Sequence, residues 1–195
     1  IIKMSLELII GPMFAGKSSA VLQRIRRANV INRKVFIVTS ILDTRYDVKA
    51  GAVYTHDKES VRANSLGVNN LEDIFKLGEF HHADLIIIEE AQFFNGLYDI
   101  VRGAVEVFRK DVIVVGLDGD SDRRPFGEIL QLIPLADTLT RLRALCKKCG
   151  DGTEGIFTLL NSEEEAEKKE QIFVGGADKY MAVCRKHYLT SHRKP

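Results

Sequence analysis

Cysteine is scarce in this chain. Three occur among 195 residues, Cys146, Cys149 and Cys184. An odd, clustered set does not make a disulfide framework. Charge of one sign is also missing: 28 basic and 27 acidic side chains leave a net +1. A protein that coats nucleic acid usually carries a clear basic excess, so that class is disfavoured. No apolar run approaches the roughly 18 residues needed to cross a bilayer. Residues 1–10 hold only a short apolar stretch, broken by Lys3 and Glu7, which is not a signal-peptide pattern. Residue 1 is isoleucine, so the sequence is expected to be a trimmed form. There is no internal repeat and no low-complexity tract. What remains is ordinary for a globular protein, with 45% hydrophobic and 28% charged residues.

Continuous apolar runs at 6–10, 35–39, 85–88 and 112–117 read as buried strands. Helical spacing is expected over 17–29, through Val21, Leu22, Ile25 and Ala28. It recurs over 66–77 (Leu71, Ile74, Phe75, Leu77), 97–108 (Ile100, Val101, Ala104, Val105, Phe108) and 126–132. A last strand is expected within 138–145. Strands alternating with helices imply an α/β fold, a parallel sheet covered by helices on both faces. From about Cys146 the style changes, with glycines over 150–155 and a charge run over 162–171 that reads as a solvated face. The expected division is therefore 1–145 for the main domain and 146–195 for a small module.

Gly11-Pro12-Met13-Phe14-Ala15-Gly16-Lys17-Ser18 fits G-x-x-x-x-G-K-[ST] between a strand and a helix. Gly11 and Gly16 permit backbone angles that side chains forbid. Successive N–H groups can then face phosphate oxygens, backed by the helix N-terminus. Lys17 would neutralise the outer phosphates, Ser18 would offer its hydroxyl to Mg²⁺, and Ser19 follows in the first turn. Such a loop calls for a carboxylate on a neighbouring strand to organise the metal. Glu89 and Glu90 end the run 85–88, at the edge where ligands gather in open α/β sheets. One could hold the metal's water shell, and the other could accept a proton from an attacking hydroxyl.

Cys146-Lys-Lys-Cys149 and Cys184-Arg-Lys-His187 form two C-x-x-[CH] pairs flanking 34 residues, 150–183. Two such pairs complete a tetrahedron. Three sulfurs and one imidazole with no open position suit structural Zn²⁺. That site is expected to tie the C-terminal tail to the main domain.

Taken together, these residues resemble the type II thymidine kinases. The resemblance rests on 11–18, Asp43-Thr-Arg-Tyr46, Thr55-His-Asp57, Glu89-Glu-Ala-Gln-Phe-Phe94, Leu117-Asp-Gly119, Arg124-Pro-Phe-Gly127, Gly175-Gly-Ala-Asp-Lys-Tyr180 and the two metal pairs, in that family's order. It implies a P-loop (RecA-like) sheet and a C-terminal zinc module carrying a loop called the lasso. It implies transfer of the ATP γ-phosphate to the 5′-hydroxyl of thymidine or deoxyuridine. Glu90 would receive or orient the hydroxyl proton, Arg45 would sit near the moving phosphoryl group, and Asp43 near the deoxyribose. Gln92 would support the site. Met13, Phe93, Leu117, Phe126 and Tyr180 would wall the base. Phe173, Val174 and Gly175 would meet its edge through main-chain groups. The resemblance also implies a homotetramer, feedback by dTTP and a cytoplasmic location, with neither nucleic acid nor membrane as partner.

By themselves, Phe93 and Phe126 keep the lesser alternative of plain core, Tyr180 that of a structural hydroxyl and Arg45 that of a surface residue of its turn. His56 reads as a loop cap, and His81 and His82 as solvent-facing. The chain departs from the family pattern at Glu89, where aspartate is usual, and at Ser121, where many members place an aromatic residue. His187 stands for a fourth cysteine, and 150–171 is longer and more acidic. Competing classes are a P-loop ATPase acting on nucleic acid and a nucleotide sensor without turnover. Near-neutral charge disfavours the first, and the paired carboxylates with Arg45 disfavour the second.

Overall fold

The computed structural model describes residues 4–40, 52–54, 60–62, 64–161 and 179–191. Its first eight strands in chain order are β1 (Ser5–Ile10), β2 (Val35–Ser40), β3 (Ala52–Tyr54), β4 (Ser60–Arg62), β5 (Asn64–Val68), β6 (Leu85–Ile88), β7 (Asp111–Gly116) and β8 (Thr138–Arg141). β3 and β4 pair antiparallel with each other. The other six form one parallel sheet in the order β5-β2-β6-β7-β1-β8.

Alternation along each strand divides the apolar runs between two cores. Ile9, Ile37, Ile87, Ile113 and Val115 face α1 (Lys17–Val30), which buries Val21, Leu22, Ile25 and Ala28 against them. Each fully buried aliphatic chain contributes about 1.5–3 kcal/mol, so a charge at Leu22 would detach the helix. Leu8, Phe36, Val38, Ile86, Ile88, Val112 and Val114 face the opposite way. That side is covered by a 3₁₀ turn (Leu71–Lys76), α2 (Gly78–His82), α3 (Leu97–Arg102) and a second 3₁₀ stretch (Ile129–Leu135). Both faces are therefore covered, as the unbroken apolar runs require.

Four local expectations need correction. Residues 66–77 are not one helix: 64–68 join the sheet as edge strand β5, and only Leu71–Lys76 winds into a 3₁₀ turn. The helix over 97–108 is α only through Arg102 and widens into a π turn over Gly103–Val107. The helix expected at 126–132 lies at Ile129–Leu135 and is 3₁₀. The strand expected within 138–145 splits, because β8 pairs with β1 while β9 (Ala144–Leu145) pairs antiparallel with β10 (Glu154–Gly155).

Beyond β10, β11 (Phe157–Leu160) pairs antiparallel with β12 (Tyr180–Val183), and a helix spans Arg185–Ser191. Cys146, Leu159, Val183 and Tyr188 form a third, separate apolar cluster there. The charge run at 162–171 lies outside the described residues. Among the described residues, no helix is long and apolar enough to cross a membrane.

Candidate functional site

Parallel register places the C-terminal ends of β1, β6 and β7 on one edge, with Ile10 opposite Gly116 and Ile88 opposite Val114. The segments leaving that edge are 11–18, 89–94 and 117–127. Gly11 approaches the neighbouring chain so closely that a Cβ would lie 2.5 Å from Leu142 O. Gly16 adopts φ 79° and ψ 22° immediately before α1, and Phe14 also has positive φ, 63°. Glycine is the residue for both demands. Lys17 reaches back across the loop and donates to Gly11 O (3.2 Å) and Pro12 O (2.8 Å). Its ammonium thus lies against the loop that the N-terminus of α1 backs.

Glu89 and Glu90 leave β6, but β6 is not the immediate neighbour of β1, because β7 lies between them. Two strand spacings amount to about 10 Å. The Glu89 residue is buried, 3% exposed, and its N–H donates to Val38 O at 2.8 Å. Glu90 is half-buried and adopts φ 49° and ψ 41°, left-handed for a residue that is not glycine. Such geometry costs about 1–3 kcal/mol and persists only where the surroundings enforce it. Gln92 fixes the side chain that this backbone presents. Its Nε2 donates to Glu90 Oε2 at 2.6 Å, and its Oε1 accepts from Leu117 N–H at 3.0 Å. Gln92 is itself 3% exposed. Two glycines make room for it: a Cβ at Gly116 would overlap Gln92 Oε1, and one at Gly127 would overlap the Gln92 carbonyl.

Phe93 and Phe126 meet edge to face, with centroids 5.6 Å apart and planes at 90°. Phe126 is buried and Phe93 half-buried. Met13 N–H donates to Thr158 Oγ1 on β11 at 3.1 Å, which ties the phosphate loop to the C-terminal hairpin. Tyr180 is half-buried at the start of β12, opposite Leu160. Sequence reasoning missed Thr158, whose one signal is a hydroxyl between the apolar Phe157 and Leu159. It also missed Tyr188, which donates to Ser121 O at 2.7 Å. Burial pushes the Tyr188 hydroxyl up, against the opposing charge of Arg123, so it remains a protonated donor at neutral pH. His81 and His82 are exposed, bonded to Phe75 O and Gly78 O. Asp43, Arg45, the 55–57 triplet with His56, Phe173, Val174 and Gly175 lie outside the described residues.

Cys146, Cys149, Cys184 and His187 converge, with all ligand atoms within 4.8 Å of one another. His187 Nδ1 lies 3.4, 3.3 and 3.5 Å from the three sulfurs in that order, and Cys149 Sγ lies 3.8 Å from Cys184 Sγ. Tetrahedral zinc, with bonds of about 2.3 Å to sulfur and 2.0–2.1 Å to nitrogen, requires edges of about 3.8 and 3.5 Å. The four distances match these values and every ligand atom lies within 4.8 Å of the others, so the cluster could hold a zinc ion. Burial pushes the Cys146 thiol up, but hydrogen bonds with the Cys184 backbone, His187 and Cys149 outweigh it and bring it down to about 6. Cys149 is pushed up to about 11 by desolvation and by its bond with Cys146. One thiolate thus suppresses the next, and a dication would remove that penalty.

Comparison with known proteins identifies the family. The family model described as "Thymidine kinase" matches residues 4–188. Thymidine kinase a of Arabidopsis thaliana is 41% identical over 190 residues, covering 96% of this chain and 76% of the relative. Human cytosolic thymidine kinase is 36% identical over 185 residues, covering 94% and 73%. The thymidine kinase of Monkeypox virus is 38% identical over 188 residues, covering 95% and 97%. On these grounds the chain belongs to the thymidine kinase family.

Proposed function

We propose that this protein phosphorylates the 5′-hydroxyl of thymidine or deoxyuridine at the expense of ATP. The observation that carries the reading is the join between two halves of one edge. The phosphate loop leaves β1 there, and Glu90 leaves β6, locked by Gln92. ATP lies along 11–19, with its phosphates against the N–H groups of the loop and the Lys17 ammonium. Ser18 and Glu89 supply hard oxygens of the kind Mg²⁺ prefers. With β7 between β6 and β1, Glu89 would help to hold the ion from the far side of the loop. Mg²⁺ held there would supply positive charge to offset that of the phosphates.

The remaining chemistry belongs to the chain and its substrates. Glu90 accepts the proton of the 5′-hydroxyl as that oxygen attacks the γ-phosphorus, and the bond to the β-phosphate oxygen breaks to leave ADP. Phosphoryl transfer depends mainly on alignment and charge neutralisation. Lys17 and Arg45 supply positive charge, and Asp43 holds the sugar. Met13, Phe93, Leu117, Phe126 and Tyr180 enclose the base, and the main chain of Phe173, Val174 and Gly175 pairs with its edge. A flat apolar slot excludes purines by size, and unpaired donors and acceptors reject cytosine.

Zn²⁺ at Cys146, Cys149, Cys184 and His187 is structural in this reading, anchoring a 146–195 module to a 1–145 ATP-binding domain. The family also motivates a cytoplasmic homotetramer with feedback by dTTP. ADP production with and without thymidine tests the central claim. Turnover that depends on thymidine supports it, whereas turnover stimulated by DNA, or none at all, would overturn it.

A further inference from the structure

The segments that carry the metal cluster also touch the candidate nucleotide site at two points. Tyr188 directly follows His187, and its amide donates to Cys184 O at 2.9 Å. Its side chain is buried in the small cluster beside the thiols, and its hydroxyl donates to Ser121 O at 2.7 Å. Arg123 of the same loop lies over the Tyr188 ring, 4.3 Å from its centroid. Between Leu117 and Phe126 the chain has no strand or helix, only a turn closed on Asp120, which accepts from Asp122 N–H and Arg124 N–H. Its placement therefore depends on where it is gripped. The second point is Thr158, which stands opposite Ala182, two residues before Cys184. Ala182 O in turn accepts from Lys147 N–H, next to Cys146. Thr158 Oγ1 is the acceptor for Met13 N–H.

We infer that Tyr188 is a positioning residue for the 117–126 loop, and that with Thr158 it makes the metal cluster a clamp on both that loop and the phosphate loop rather than an anchor for the C-terminal segment alone. The inference rests on the kinase reading for its kinetic consequence but not for its structural one. Tyr188→Phe removes the hydroxyl and keeps the ring under Arg123. With zinc content and thermal midpoint near wild type, amide exchange in 118–126 should accelerate, and KM for thymidine should rise about three- to tenfold while kcat stays within about twofold. A merely structural role would lower the active fraction, and hence kcat, without moving KM. Exchange at the wild-type rate sinks the clamp whatever the activity, and faster exchange with unchanged KM sinks the positioning role. If the wild-type protein does not phosphorylate thymidine, the kinase reading fails and the exchange result alone decides the clamp. Should Tyr188→Phe not fold, Thr158→Val and Thr158→Ser replace it. Valine should raise KM for ATP by a similar factor and serine should restore it, and equal behaviour of the two would overturn the inference.

Discussion

Gln92 Nε2 donates to Glu90 Oε2 at 2.6 Å, so the carboxylate at the end of β6 is aimed by a side chain that is itself buried. The other end of Gln92 is fixed by Leu117 N–H at the end of β7. Two adjacent strands thus converge on one carboxylate. Glu90→Gln keeps the shape and removes the proton acceptor. General-base catalysis contributes typically about 10²–10⁴-fold, so kcat should fall by about that range. ATP affinity, measured by calorimetry, should change less than about threefold. Equal losses in both would remove Glu90 from the role of base.

Gly127 has φ 59° and lies against the carbonyl of Gln92. Gly127→Ala meets both a left-handed backbone and an overlap with main chain, which cannot swing aside. The expected cost is on the order of 2–3 kcal/mol, read as a shift in the denaturant midpoint. Turnover of the folded fraction should also fall, because the displaced Gln92 releases Glu90. An alanine variant with wild-type stability and turnover would contradict the packing described.

The legible parts of the fold were those fixed by local pattern. β1, β2, β6 and β7 were readable because strands covered on both faces need unbroken apolar runs. The loop at 11–18 was readable because glycine is required where the backbone turns left-handed at Gly16 or approaches Leu142 closely. The cluster of Cys146, Cys149, Cys184 and His187 was readable because each metal edge comes from a fixed short spacing. Errors arose where long-range pairing overrode local spacing. Leu71, Ile74 and Leu77 look helical, but the preceding residues pair with β2, and that register stops a helix from extending backwards. Gly127, turned left-handed against Gln92, delays the next helical stretch to Ile129. Thr158 and Tyr188 were illegible as site residues because their partners, Met13 and Ser121, lie 145 and 67 residues away.

The metal cluster makes a prediction about pH. Zinc binds thiolates, so every thiol still protonated must release its proton on binding. Cys149, pushed up to about 11, holds its proton through neutral pH, and zinc uptake at pH 7.5 should release it. Calorimetry in buffers of different ionisation enthalpy reads that number directly. Cys146, at about 6, is already mostly ionised at pH 7.5 and joins the competition only in acid. Zinc affinity should therefore weaken as pH falls, and weaken more steeply below about 6. Elemental analysis should find one zinc per chain. A pH-independent affinity, or no zinc, would dispose of the site.

The opposite edge of the sheet supplies a control. Arg33 Nη1 lies 2.8 Å from Asp111 Oδ2, where β7 begins, and Ser5 Oγ at the start of β1 donates to Asp111 Oδ1. The Asp111 side chain is 9% exposed, so removing its cation leaves a nearly buried charge with a single hydroxyl in compensation. Breaking such pairs typically costs about 3–5 kcal/mol. The residual Ser5 bond and the partial exposure of Arg33 lower the expectation for Arg33→Met to about 2–4 kcal/mol. Because this edge lies a full strand length from the phosphate loop, KM for ATP and thymidine should stay within about twofold of wild type. A large KM change would mean that the two edges are coupled through β1 and β7, and variants at the C-terminal edge could then no longer be read as local.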